Sequence, residues 1–345
     1  MYRTFNATQP AATDTAMHQK WSDAITAGMK VGRIQVDWSD LEPQPNQYDK
    51  SELEEKLIEM EDSGLLPFVL ISTIDSEGYT LPDDITDKNS PTLLINGIHI
   101  DDSIILDRFE NLLAWAVPMI TAYGGWALAV GNEPGNFLLD NPQEEEHIVN
   151  FLSHARAYSH AINKQLAVAM TIAYWNSELG YEFHTPLIEN SDFVSINYYA
   201  TDTQSYFDDN AVSINSELDH ILSLAGDKYV VFQELGASGG YDMSTSLMNA
   251  SETKQAEFYE AFFTRMRSEN LLKAAFIFQL VDWDPALVET HYTQPLTAAG
   301  LPEDFILRFV ESYETIGLIK YTDGSERLAW SSVLEEITRL AQDSP

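Results

Sequence analysis

The chain has 345 residues, 54 Asp plus Glu against 19 Lys plus Arg, no Cys, and a formal net charge of -35. That excess opposes phosphate backbones and anionic membrane surfaces, so neither nucleic acid nor membrane is an expected partner, and an acidic surface of this kind suits a saline habitat. Without Cys there is no disulfide framework or thiolate metal site, and no apolar run approaches the roughly 18 residues of a membrane-spanning helix.

Strand-like apolar runs alternate with amphipathic stretches from end to end, a pattern that predicts a parallel sheet with helical crossovers. The first run is Tyr2–Asn6, followed by Met17, Trp21, Ile25 and Met29 at helical spacing. The second is Gly32–Trp38. Ser51 and Glu54 have capping-box spacing at the head of a helix carrying Leu53, Leu57 and Met60, which Gly64 ends before the third run, Pro67–Thr73. The fourth, Ala127–Glu133, is separated by the stripe Ile148, Phe151, Ala155, Tyr158 and Ile162 from the fifth, Leu166–Ala173. Phe193–Tyr199, Tyr229–Glu234 and Ala274–Leu280 complete the set, and a last helix carries Trp330, Val333 and Ile337. Eight strands close a barrel, so the expected fold is α/β, a single (β/α)8 TIM barrel over residues 1–345. The long departures at about 76–102 and 285–317 follow strands three and eight, on the face where loops build a site. Met1–Asn6 shows no leader pattern; the expectation is a secreted or periplasmic protein with its leader removed, cytoplasmic residence remaining open.

Two segments carry the chemistry. Val130-Gly131-Asn132-Glu133-Pro134 and Val230-Val231-Phe232-Gln233-Glu234-Leu235-Gly236 each put one glutamate at the end of an apolar run, with Pro or Gly within two residues to end regular pairing. In a barrel with strands in sequence order both acids face one mouth. Cleaving a glycosidic bond needs one protonated carboxyl for the leaving oxygen and one ionised carboxylate. A gap of about 5–5.5 Å gives retention through a glycosyl-enzyme, and one of about 6.5–9.5 Å gives inversion through water.

Asn132-Glu133-Pro134 on strand four, with a second Glu ending strand seven, resembles the clan A glycoside hydrolases over the whole chain. The resemblance implies that Glu133 is the acid/base, Glu234 the nucleophile, and Asn132 the holder of the sugar 2-hydroxyl. Gly32 to Pro43 and then Tyr48-Asp49 are similar to the clan's second-strand region, where an Arg supports the nucleophile; Arg33 is the counterpart, with an ion pair to a nearby carboxylate such as Asp37 as the alternative. Ser195-Ile196-Asn197-Tyr198-Tyr199 resembles the strand-six stretch of the β-glucosidase and galactanase families, which implies a Tyr bonded to the nucleophile. Alternation makes Asn197 and Tyr199 share a side, so Tyr199 is chosen over Tyr198. Trp283 stands where clan members place an aromatic sugar floor, and Trp38, Tyr174 and Trp175 also fall near strand exits. Trp126 enters strand four at the other end and reads as packing. The ends of strands three and six lack the His of cellulase-type family 5, and Gln233-Glu234-Leu235-Gly236 departs from the Thr-Glu-Asn-Gly of the β-glucosidase family, so no subfamily is assigned.

His147, His154 and His160 on one helix lack zinc spacing, the Asp pairs lack a calcium-loop register, and no phosphate loop or serine elbow is present. No metal or cofactor is expected. His291-Tyr292, in the long loop after strand eight, could reach substrate. The resulting expectation is a retaining, monomeric glycoside hydrolase acting on β-linked poly- or oligosaccharides. The alternatives are a noncatalytic carbohydrate-binding barrel and a transglycosylase using the same two Glu.

Overall fold

The computed structural model describes residues 11–76, 78–174, 184–202, 205–207, 211–241 and 245–343. Its sheet follows the chain: β1 (Val31–Asp37), β2 (Leu66–Ser72), β5 (Ala127–Asn132), β6 (Ala167–Tyr174), β7 (Val194–Tyr199), β8 (Val230–Gly236) and β9 (Leu272–Ile277), each parallel to the next. Between β2 and β5, a small hairpin of β3 (Ile74–Asp75) and β4 (Gly78–Tyr79) joins the sheet through β3 and β5. Helices fill the crossovers, among them Ser51–Asp62, Ser103–Ala122, Glu145–Ile162, Ala211–Ala225 and Glu252–Ser268. The two ends of the path, β1 and β9, come into contact, so the sheet is strongly curled. Tyr2–Asn6, the expected first strand, lies outside the described residues; the other seven agree with expectation to within a few residues.

These runs become strands because both faces are covered. Every residue of β5 and of β8 is buried, which removes the polar alternation of a half-exposed sheet. Alternate residues divide between two cores. Phe68, Leu70, Ala127, Ala129, Ala169, Val231, Ala274 and Phe276 fill the inside of the curl, while Val69, Ile71, Leu128, Val130, Val168 and Phe232 meet the helices. The four alanines leave room for Phe68, Phe276 and Phe193, with Phe68 and Phe276 ring centroids 5.3 Å apart. Trp126 closes this end against Phe68 at 5.8 Å, the packing role expected of it.

Three local expectations are corrected. The first helix, Ala11–Ala27, stops before Met29 because Gly28 takes φ +113 and a Cβ there would meet that of Ala341 at 2.5 Å. The capping box does not form: Ser51 is already helical, and Asp49 accepts both its backbone N–H and its hydroxyl. The 285–317 segment is largely helical, with helices Pro285–Val288, Gln294–Ala298 and Glu303–Glu314, the last burying Ile306, Arg308 and Glu311.

Candidate active site

Irregular pairing turns the two glutamate-bearing strands into a site. Along β5 and β6 the register slips between Ala129/Ala169 and Asn132/Thr171, leaving one extra residue on β5. Gly131 takes φ +155 within that slip, and a Cβ on it would lie 3.0 Å from both Ile74 and Met170 side chains. Glu133 follows at φ +47, a left-handed backbone that costs a non-glycine residue of order 1–3 kcal/mol, and its N–H donates to the Thr171 carbonyl at 2.8 Å. Between β7 and β8, Ile196 pairs with Phe232 and Asn197 with Glu234, so Gln233 is extra. Bulges of this kind re-aim side chains at the rims of barrels.

The re-aimed side chains form one network. Gln233 accepts from Thr171 Oγ1 at 2.5 Å and donates from Nε2 to Asn132 Oδ1 at 2.8 Å. Asn197 Nδ2 donates to Asn132 Oδ1 at 3.0 Å and to Glu133 Oε1 at 2.7 Å. With Asn132 Oδ1 held by two donors, its Nδ2 is turned to Asp75 Oδ1 at 2.9 Å. Ser76 Oγ lies 3.1 Å from Glu133 Oε2.

Glu234 has a different set of partners. Arg33, 4% exposed, donates from Nη2 to Glu234 Oε1 at 2.9 Å and to Gln35 Oε1 at 2.7 Å, and Tyr199 donates its hydroxyl to Glu234 Oε2. Burial raises the Glu234 pKa, while Arg33 and Tyr199 pull the other way by favouring its charge. Burial, with the Glu234 charge second, pushes Glu133 up to about 7, and the Asn197 hydrogen bond only partly offsets them. Two carboxyls thus interact, one pushed toward its neutral form by burial and the other bonded to a cation. Such a pair can deliver a proton to one atom while presenting a negative oxygen to another.

Arg33 therefore reaches Glu234 rather than Asp37. Tyr199, not Tyr198, bonds the same carboxylate; Tyr198 points outward to Glu217 and packs on Phe258. Trp283 is half-buried and meets Tyr292 and Tyr313 edge-on, at 5.7 and 5.5 Å. Tyr292 stacks on Tyr313 at 4.4 Å; burial pushes it to about 12, with the charges of Glu234 and Glu133 contributing.

One expected sugar contact moves. Trp38 is 0% exposed, its Nε1 donating to Glu42 Oε2 at 2.8 Å and its ring 4.8 Å from Phe109, so it is core packing and no sugar platform. His291 is exposed on the segment Glu289–Thr293, and the neighbouring Tyr292 is near enough to the carboxylates for their charges to act on it. Trp175 lies outside the described residues. His147, His154 and His160 pair with Asp101, Glu110 and Asp192, and no cluster suited to a metal ion occurs among the described residues. Asp75, Ser76, Gln35, Gln233 and Tyr313 were not foreseen as site residues, whereas Tyr292 was singled out beside His291. Asp75 alone carried a signal, an acid at the exit of strand three, the same criterion that marks Glu133.

No family model and no curated protein matches the chain. Solved structures do. A GH5_18 structure from Streptomyces cattleya in complex with Manβ1-4GlcNAc has TM-score 0.67 and 13% identity over 97% of this chain and 78% of that one. Its Bifidobacterium longum counterpart, with the same ligand, gives 0.64 and 15% over 97% and 75%. A family 39 glycoside hydrolase from Bacteroides cellulosilyticus gives 0.60 and 14% over 95% and 62%. The chain shares the fold of these solved glycoside hydrolase structures.

Proposed function

We propose that the protein is a retaining glycoside hydrolase that cleaves β-linked oligo- or polysaccharides on a closed (β/α)8 barrel. The observation that carries the reading is the unlike environment of the two acids: Glu133 is met by the neutral groups of Asn197 and Ser76, with burial raising its pKa, and Glu234 is bonded by Arg33 and Tyr199. Glu133 gives its proton to the leaving oxygen as Glu234 attacks the anomeric carbon. Glu133 then takes a proton from the water that displaces the sugar from Glu234, and the configuration is restored. Asn132, held by Asn197 and Gln233, keeps a second N–H for a sugar hydroxyl, and Trp283 with Tyr292 forms an apolar wall for a ring face. Arg33, Asn197 and Tyr199 serve by holding the two acids.

This mechanism involves no metal or organic cofactor. The intact hydrogen-bond network around both acids favours catalysis over a purely carbohydrate-binding barrel. Glu234→Ala is expected to lower turnover of an aryl β-glycoside by about 10⁴-fold or more. Azide should then restore it with inverted product, read by NMR of the anomeric proton, while the parent enzyme gives retained product. Full activity in the variant would end the proposal.

A further inference from the structure

Two non-glycine residues with left-handed backbones meet in the cleft. Ser76, at φ +49, sits opposite Glu133, at φ +47. The strain is held by backbone bonds on both sides of Ser76: its N–H donates to the Asn132 carbonyl at 3.2 Å, and its carbonyl accepts from Phe137 N–H at 3.2 Å. Left-handed non-glycine residues persist where the surroundings impose them, and they cluster at functional sites. The effect here is to hold the Ser76 hydroxyl between two carboxyl groups, 3.1 Å from Asp75 Oδ1 and 3.1 Å from Glu133 Oε2.

A hydroxyl has one proton and can donate to only one of these oxygens at a time. Asp75 is itself fixed, by pairing of β3 with β5 at Asp75/Asn132 and by the Asn132 amide on the same Oδ1. We infer that Ser76 is a two-position hydrogen-bond switch, set by Asp75, that follows the protonation state of Glu133. While Glu133 holds its proton, Ser76 donates to the Asp75 carboxylate and its oxygen accepts the Glu133 O–H. Once that proton has gone to the leaving oxygen, the hydroxyl turns and donates to the bare Glu133 carboxylate. When the incoming water returns a proton to Glu133, the hydroxyl turns back. No proton leaves Ser76 or Asp75 at any stage. Asp75 and Ser76 are positioning residues, since both act through Glu133, and the negative charge of Asp75 biases the switch toward the protonated acid. The same charge is among the influences that raise Glu133.

The inference rests on Glu133 being the proton donor proposed above, but its test reads Glu133 directly and needs no turnover. The side-chain carboxyl of Glu133 is followed by ¹³C NMR against pH in the full chain, assigned with Glu133→Gln. Asp75→Asn should lower its midpoint by about one unit. In a Ser76→Ala background the same change should lower it by less than half as much, because only the through-space part remains. Asp75→Ser replaces Asp75→Asn if that variant does not fold. No shift on neutralising Asp75, or a shift as large without Ser76 as with it, overturns the switch. Should the switch hold in an enzyme that releases sugar from no glycoside, the fault lies with the proposed reaction.

Discussion

At the exit of β5, Glu133 is met by neutral donors, an amide and a hydroxyl; at the exit of β8, Glu234 is met by a guanidinium and a phenol. The side chains are chemically identical and both are lifted by burial. What separates them is that only Glu234 has a full positive charge bonded to it, which lowers the free energy of its ionised form without affecting the neutral one. In the proposed mechanism, acid and nucleophile are thus distinguished by their partners.

That asymmetry can be broken in three ways beyond removing Glu234. Glu133→Gln should slow an unactivated β-glycoside by about 10²–10⁴-fold, yet slow bond cleavage in a dinitrophenyl glycoside far less, since that leaving group needs no proton. Pre-steady-state release of dinitrophenol checks this, and equal losses on both substrates would reverse the assignment. Arg33→Met should cost about 10²-fold in kcat/KM and move the acid limb of the pH profile upward, because Glu234 without its cation takes up a proton at higher pH. An acid limb left in place would show that Arg33 does not govern Glu234. Asn197→Ala should have the smallest effect, about 10-fold in kcat. It should also move the basic limb upward, since the lost N–H favoured the ionised form of Glu133. A basic limb that moves down, measured as kcat/KM against pH, would contradict the hydrogen bond seen from Asn197.

Much of this was legible in the sequence for a simple reason. Strands covered on both faces must be apolar throughout, so β2, β5 and β8 stand out as runs, and an acid at the end of such a run has little structural reason to be there. Tyr199 was recoverable by period-two alternation. Alternation also hid Gln233, since neighbours on a regular strand face opposite ways and only the bulge brings Gln233 and Glu234 to the same mouth. Ser76 and Asp75 were obscured because their partners lie 57 residues on, and no local pattern announces that meeting. Trp38 misled because a strand exit is also where a short helix can begin: Trp38–Leu41 folds the indole inward onto Glu42.

The extra residues on β5 and β8 bear on how this fold can vary over time. β1 and β2 pair without interruption from Val31/Leu66 to Asp37/Ser72, so a one-residue deletion within that ladder would slip its register and turn the side chains beyond it to the opposite face. On β5 or β8, loss of the extra residue would erase the slip and with it the local bend that re-aims Glu133 or Glu234. Substitutions can therefore accumulate along these two strands, but their lengths are fixed. Descendants of this protein that keep both acids in place should differ in the letters of those segments and agree in their spacing.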